Sequence, residues 1–179
     1  MTGLRLAELA TAKLGWLRLE HLDDVHGDEL AWSIMVLGKR NKWREVPLPD
    51  PAMDALRAYL VQRGLDADPL ANDPELPLIS RLDGQGGLSE SRIYDVLRDG
   101  FERCAIAVQA TDARAAERIR QGSTHWLRHT YGAHTIARGV PQDVVQAALG
   151  HESLATTSIY VRSEKARKHR ELQAAFKSR

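Results

Sequence analysis

The hydrophobic pattern changes period once, and that change constrains the fold more than any other feature. Between residues 17 and 48 the apolar residues fall in short strand-like runs, and beyond Pro51 they recur at helical spacing. Residues 17–22 alternate apolar and polar, as a half-buried strand does, and residues 30–37 and 43–48 make two more such runs. Asp23-Asp24 and Gly27-Asp28 are turn signals, and residues 38–42, Gly-Lys-Arg-Asn-Lys, read as a hairpin tip. The expected fold class is α+β, mainly α-helical, with a small three-stranded antiparallel sheet near the N-terminus.

Helices account for most of the remainder. Residues 3–14 read as a short helix with Leu6, Leu9 and Ala10 on one face. Residues 51–63 form another, ending at Gly64, followed by a loop over 65–77 and a short extended piece at Leu78-Ile79. Residues 83–87 are a glycine-rich turn, but no Gly-Lys-Ser/Thr follows, so this is not a nucleotide-binding P-loop. Ser89 caps a helix to about Val108, and Thr111 or Asp112 caps another to about Ile119. Ser123 or Thr124 caps the helix carrying His125 and Arg128, which ends at Gly139. Residues 141–149 form the next helix and stop at Gly150; 154–161 are helix-like and carry Tyr160; a charged amphipathic helix from 163 to about 176 closes the chain. No repeat, low-complexity segment or linker interrupts the sequence, so residues 1–179 are expected to form one domain.

Several classes are disfavoured. No apolar run approaches the roughly 18–20 residues of a membrane span, and Met1-Thr-Gly-Leu-Arg5 has no signal-peptide pattern. A single cysteine, Cys104, excludes an internal disulfide framework and suits a reducing cytoplasm. The net charge of +1 hides an asymmetry: residues 1–119 hold 15 Lys and Arg against 20 Asp and Glu, whereas residues 120–179 hold 10 against 4 and five of the seven histidines. That distribution suggests an anionic partner for the C-terminal part, although a solvated basic helix would give the same count.

The basic part contains a distinctive series: Ser123-Thr-His-Trp-Leu-Arg-His-Thr130, Leu149-Gly-His151 and Tyr160. His125 and Arg128 lie three apart on a helix and share a face. Arginine offers a planar fork of donors suited to phosphate, and histidine can donate a hydrogen bond or move a proton. Each residue alone has a plainer reading: a surface helix for His125 and Arg128, a charge on the helix dipole for His151, a core aromatic for Tyr160. His125 and His129 also have the i,i+4 spacing of zinc-binding helices, but Trp126 stands where a zincin has glutamate and no cluster completes a site, so no metal is expected.

Together with two N-terminal segments, Thr2-Gly-Leu-Arg5-Leu-Ala-Glu8 and Gly38-Lys39-Arg-Asn-Lys42-Trp-Arg44-Glu-Val-Pro-Leu48, this series resembles the motifs of the tyrosine recombinases, the phage integrase family. Alone, Arg5 reads as a salt-bridge partner of Glu8 or Glu20, and Lys39 as an ordinary hairpin-tip cation. The resemblance runs from Thr2 to about Arg162 and implies the family's catalytic-domain fold, without the N-terminal core-binding domain and the first catalytic-domain helix. It implies a catalytic set of Arg5, Lys39, His125, Arg128, His151 and Tyr160, with no cofactor and no metal. Tyr160 would attack the scissile phosphate to form a 3′-phosphotyrosine, Arg5 and Arg128 would grip its non-bridging oxygens, and Lys39 would protonate the departing 5′ oxygen. His125 would assist proton transfer from the tyrosine, and His151 would hydrogen-bond the phosphate. The implied function is site-specific recombination of double-stranded DNA in DNA integration, in a bacterial or phage-encoded cytoplasmic protein. Type IB topoisomerase-like relaxation and a catalytically silent DNA-binding remnant are the alternatives. The chain alone is expected to be mainly monomeric, with tetramers on DNA. The apolar stripe Leu172, Ala175 and Phe176 either folds onto its own core or, as the resemblance favours, docks on a neighbouring protomer.

Overall fold

A computed structural model describes residues 2–24, 27–38, 41–84, 86–150, 169–174 and 176. The three alternating runs form one antiparallel sheet in the order β1 (Leu17–Asp24), β2 (Gly27–Leu37), β3 (Trp43–Pro47). Leu17 stands opposite Ile34, and Ile34 opposite Val46. Opposed residues share a face, so these three make one apolar row, sealed from solvent. The period of two places Arg44 on that same inward face, opposite Val36. A charge directed inward needs a buried partner. β1 and β2 run further toward their turn than the sequence suggests, to the pair Asp24–Gly27. Antiparallel strands need few connecting residues, so ladder pairing overrides the turn propensity of Asp23, Asp24 and Gly27.

The first helix, α1 (Leu6–Thr11), is half the length expected. Arg5 precedes it in an extended conformation, and Ala12 leaves it extended. From there the chain pairs with a distant segment: Leu78 N–H donates to Ala12 O at 2.8 Å and Leu14 N–H to Leu76 O at 2.9 Å. These long-range bonds replace the last turn predicted by periodicity. The helix α2 (Asp50–Gln62) buries Met53 and Leu60 against the sheet, and with Leu14, Leu17, Ile34, Val36 and Val46 they form the first core.

Three caps are placed as the sequence predicts. Ser89 Oγ accepts from Arg92 N–H (3.2 Å) at α3 (Glu90–Gln109), and Asp112 from Ala115 N–H (2.8 Å) at α4 (Ala113–Arg120). Ser123 Oγ accepts from Trp126 N–H (3.2 Å) at α5 (Thr124–Ala137). The helix α6 (Gln142–Leu149) stops at Gly150, which is left-handed at φ 65°, ψ 47°, a conformation glycine enters without a Cβ penalty. Side chains of α5 and α6 build a second core around Tyr131, Val144, Val145 and Leu149. No described helix is long and apolar enough to cross a membrane.

Residues 169–174 and 176 are helical. Leu172 is fully buried in the second core, and Phe176 stacks on Tyr131 with ring centroids 6.2 Å apart. Gln173 exchanges hydrogen bonds with Asp50 at the start of α2, donating to its carboxylate and accepting from its N–H at 2.8 Å. In the single chain Leu172 and Phe176 thus pack onto the second core, where α5 and α6 present an apolar surface that Leu172 completes. The expected helices at 154–161 and 163–168 lie outside the described residues. Truncating Leu172 to alanine should cost about 2–5 kcal/mol, the usual range for a fully buried leucine. Chemical denaturation of the chain and the variant measures this, and a loss below about 1 kcal/mol would show that the second core does not depend on the C-terminal helix.

Candidate active site

Glu8 is the one buried carboxylate of α1, with 3% of its surface exposed. It is held from two sides. Arg5 donates its backbone N–H to Oε2 and Nη1 to Oε1, both at 2.8 Å. Arg44, reaching inward from β3, donates Nη1 to Oε1 at 2.6 Å and Nη2 to Oε2 at 2.8 Å. Burial by itself pushes this carboxyl up. The hydrogen bonds from Arg44 and then from Arg5 outweigh it and hold the group at about 2, down from an ordinary 4.5. Glu8 is therefore an anion at any physiological pH, and it orients two cations. The plainer reading of Arg5 as a partner of Glu8 and its reading as a site residue are thus compatible: the ion pair fixes where the guanidinium sits.

Arg128, in the middle of α5, is 7% exposed. It donates Nη1 to Gly3 O and Nη2 to Leu149 O. Arg5 donates Nη2 to Gly150 O at 3.4 Å. The two arginines therefore reach consecutive carbonyls at the C-terminus of α6, although they are 123 residues apart in sequence. Burial, and next the Arg5 cation, pull the Arg128 guanidinium down to about 10. It stays charged near neutrality. Both arginines border a pocket of about 180 Å³ whose other walls include Leu6, Leu9, Leu97 and Leu127. Apolar walls lower the local dielectric and strengthen what the cations do to an anion.

Two glycines permit this approach. A Cβ on Gly150 would lie 2.6 Å from Arg44 Nε, and one on Gly3 would lie 2.7 Å from atoms of Leu149 and Tyr131. Both also have positive φ, 65° in each case. At the base of the hairpin, a Cβ on Gly38 would touch Arg44 Nη1 at 3.2 Å and Glu8 Oε1 at 4.0 Å. The hairpin base and the α6 terminus thus both abut the Arg44–Glu8 pair.

His125 lies one turn before Arg128 on α5 and is exposed. Its Nε2 is 2.8 Å from Nε2 of His129. Lys39, His151 and Tyr160 lie outside the described residues. The structure thus brings Arg5 and Arg128 together and puts His125 on the same helix as Arg128. Arg44 and Glu8 brace the arginine cluster, and sequence reasoning left them without a role in the site. The strand alternation contained the clue, because Arg44 shares parity with Val46 and Leu48, and an inward arginine implies a buried acid. Among the described residues no group of three His, Cys, Asp or Glu is placed to hold a metal.

Residues 1–167 match the phage integrase family. The tyrosine recombinase XerD of Mycobacterium tuberculosis (strain H37Rv) is 37% identical over 140 residues, covering 78% of this chain and 40% of the relative. The tyrosine recombinase XerA of Pyrococcus furiosus is 29% identical over 161 residues, covering 90% and 46%. The chain therefore spans less than half the length of these relatives. Among solved structures, the integrase from mycobacterium phage Brujita superposes with a TM-score of 0.58 at 22% identity, over 99% of this chain and 50% of that one. The XerH site-specific recombinase in its pre-cleavage complex with difH gives 0.53 at 23%, over 92% and 43%. These likenesses confirm the α+β fold with its small antiparallel sheet.

The Glu8 arrangement predicts an acid-sensitive stability. A carboxyl whose pKa falls on folding stabilises the fold above its unfolded value, near 4.5, and that contribution disappears as pH falls toward about 2. A shift of this size corresponds to about 3 kcal/mol. Glu8→Gln should be less stable than the parent at neutral pH, and the gap should narrow below pH 4.5. Urea denaturation across that window tests this; a gap independent of pH would remove the ionic role of Glu8.

Proposed function

Since the chain belongs to the phage integrase family of tyrosine recombinases, we propose that it cleaves and rejoins DNA site-specifically through a 3′-phosphotyrosine at Tyr160. The observation that carries this reading is the convergence of Arg5 and Arg128 on consecutive carbonyls of α6. Two guanidiniums fixed side by side by backbone and by Glu8 are suited to the non-bridging oxygens of one phosphate. Of the five N–H donors that an arginine carries, Arg128 uses two terminal ones on carbonyls, which leaves others for an anion.

In the proposed reaction the Tyr160 oxygen attacks phosphorus, the bond to the 5′ oxygen breaks, and negative charge grows on the non-bridging oxygens. Arg5 and Arg128 stabilise that charge as preoriented donors. Lys39 gives a proton to the departing 5′ oxygen, His125 helps take the tyrosine proton, and His151 donates to the phosphate. A 5′-hydroxyl from another strand reverses the step, so no nucleotide is consumed. No metal enters this scheme. We place the reaction on chromosomal or mobile-element DNA in the bacterial or phage-infected cytoplasm, with this chain as the catalytic part, monomeric alone and tetrameric on paired sites. The names of the relatives favour strand exchange over topoisomerase-like relaxation.

The decisive experiment traps covalent protein on a suicide duplex that loses its 5′-hydroxyl after cleavage. The chain should form an adduct and Tyr160→Phe should not; an adduct with the phenylalanine variant would assign the nucleophile elsewhere, and none with the parent would mark a silent DNA-binding remnant. Arg128→Lys should slow adduct formation by about 100-fold or more, because a point charge does not copy a fork of donors. Unfolding curves for the same variant separate lost chemistry from lost carbonyl contacts. EDTA should leave the parent rate unchanged.

A further inference from the structure

His125 and His129 occupy successive turns of α5, and both side chains are exposed. Their Nε2 atoms are 2.8 Å apart, with the rings nearly perpendicular at 88°. Such a contact is a hydrogen bond with one ring as donor and the other as acceptor. It also brings two imidazole nitrogens to one point in water. We propose that this pair chelates a transition-metal cation of the Zn2+, Ni2+ or Cu2+ class, and that occupancy inhibits DNA cleavage by withdrawing His125.

The geometry fits. Two imidazole nitrogens at about 2.0–2.1 Å from one zinc, with an angle between 90° and tetrahedral, stand roughly 2.9–3.4 Å apart. The observed separation needs to open by a few tenths of an ångström, within reach of small side-chain rotations. Helical histidines four apart are a known way to present two nitrogens to one ion. Binding moves the proton now shared by the two Nε2 atoms to an Nδ1 through solvent, leaving both rings neutral with free lone pairs.

The ligand set decides what kind of site this is. The described residues supply no third donor of the His, Cys, Asp or Glu type. Water must fill the other positions, which makes the site open and exchangeable, unlike a structural zinc. The Arg128 cation, buried one turn away from His125, weakens binding further. Imidazole favours Zn2+, Ni2+ and Cu2+ over Mg2+ and Ca2+, which take oxygen ligands. The site is therefore a reversible brake and not a cofactor site, and it is compatible with a metal-independent reaction. The inhibition rests on the recombinase reading; the binding does not.

Calorimetric titration of the chain with ZnCl2 is the test, repeated on His125→Ala and His129→Ala, both exposed positions whose loss leaves the cores intact. Losing an outer-shell partner already costs metal sites about 10-fold or more in affinity, so losing either ligand should weaken zinc binding at least that much. MgCl2 should give no heat of binding. Wild-type affinity in either variant overturns the site. On the suicide duplex, saturating Zn2+ should slow the parent, EDTA should restore it, and the ratio of rates with and without zinc should approach one in His129→Ala. Unchanged parent cleavage under saturating zinc overturns the inhibitory role while calorimetry still decides the site. A chain that never cleaves DNA refutes the recombinase reading, and zinc binding is then still decided by calorimetry.

Discussion

Everything at the centre of this fold depends on one carboxylate. Glu8 accepts four hydrogen bonds from two arginines, one three residues earlier in the chain and one on the inner face of a strand. A buried carboxylate is costly unless its lone pairs are filled, and a buried arginine is costly unless its charge is met. Here the two needs cancel. Because Arg44 is anchored in the sheet and Arg5 begins α1, the pair also fixes the helix against the strand. Arg44 in turn lies so close to Gly150 that no other residue fits there without displacement. One ion-pair cluster thus ties together α1, the hairpin base and the end of α6.

The two arginines that border the pocket are aimed by backbone. Carbonyls at a helix C-terminus carry partial negative charge and normally lack partners. Arg5 and Arg128 satisfy two of them at α6. The donors are therefore oriented by the fold itself, and an anion entering the pocket meets them with little reorganisation. Burial first, and then the Arg5 cation, lowers the Arg128 pKa, and Glu8 partly offsets both.

Local signals in the sequence were reliable wherever a short-range rule governs. The caps at Ser89, Asp112 and Ser123, the left-handed Gly150 and the three strands follow from side-chain chemistry within a few residues. The pairing of Arg5 with Arg128 was reached by motif resemblance, not by spacing, since nothing local connects residues 5 and 128. Apart from the tight β1–β2 turn, the departures come from long-range contacts. The expected helix over 3–14 gives way to bonds with Leu76 and Leu78. Arg44 went unassigned because its partner Glu8 lies 36 residues earlier, across the sheet.

The double grip of Arg128 on Gly3 O and Leu149 O has a consequence for the order of assembly. These contacts close nearly the whole described chain into a ring, and such closure must be reached before it is rewarded. A chain that has formed its sheet but not yet docked α5 and α6 has no paired arginines. During synthesis, residue 3 leaves the ribosome long before residue 149 exists. The paired guanidiniums are therefore absent from every product of translation that stops short of the end of α6, and the two cations come together only after the fold that restrains them is in place.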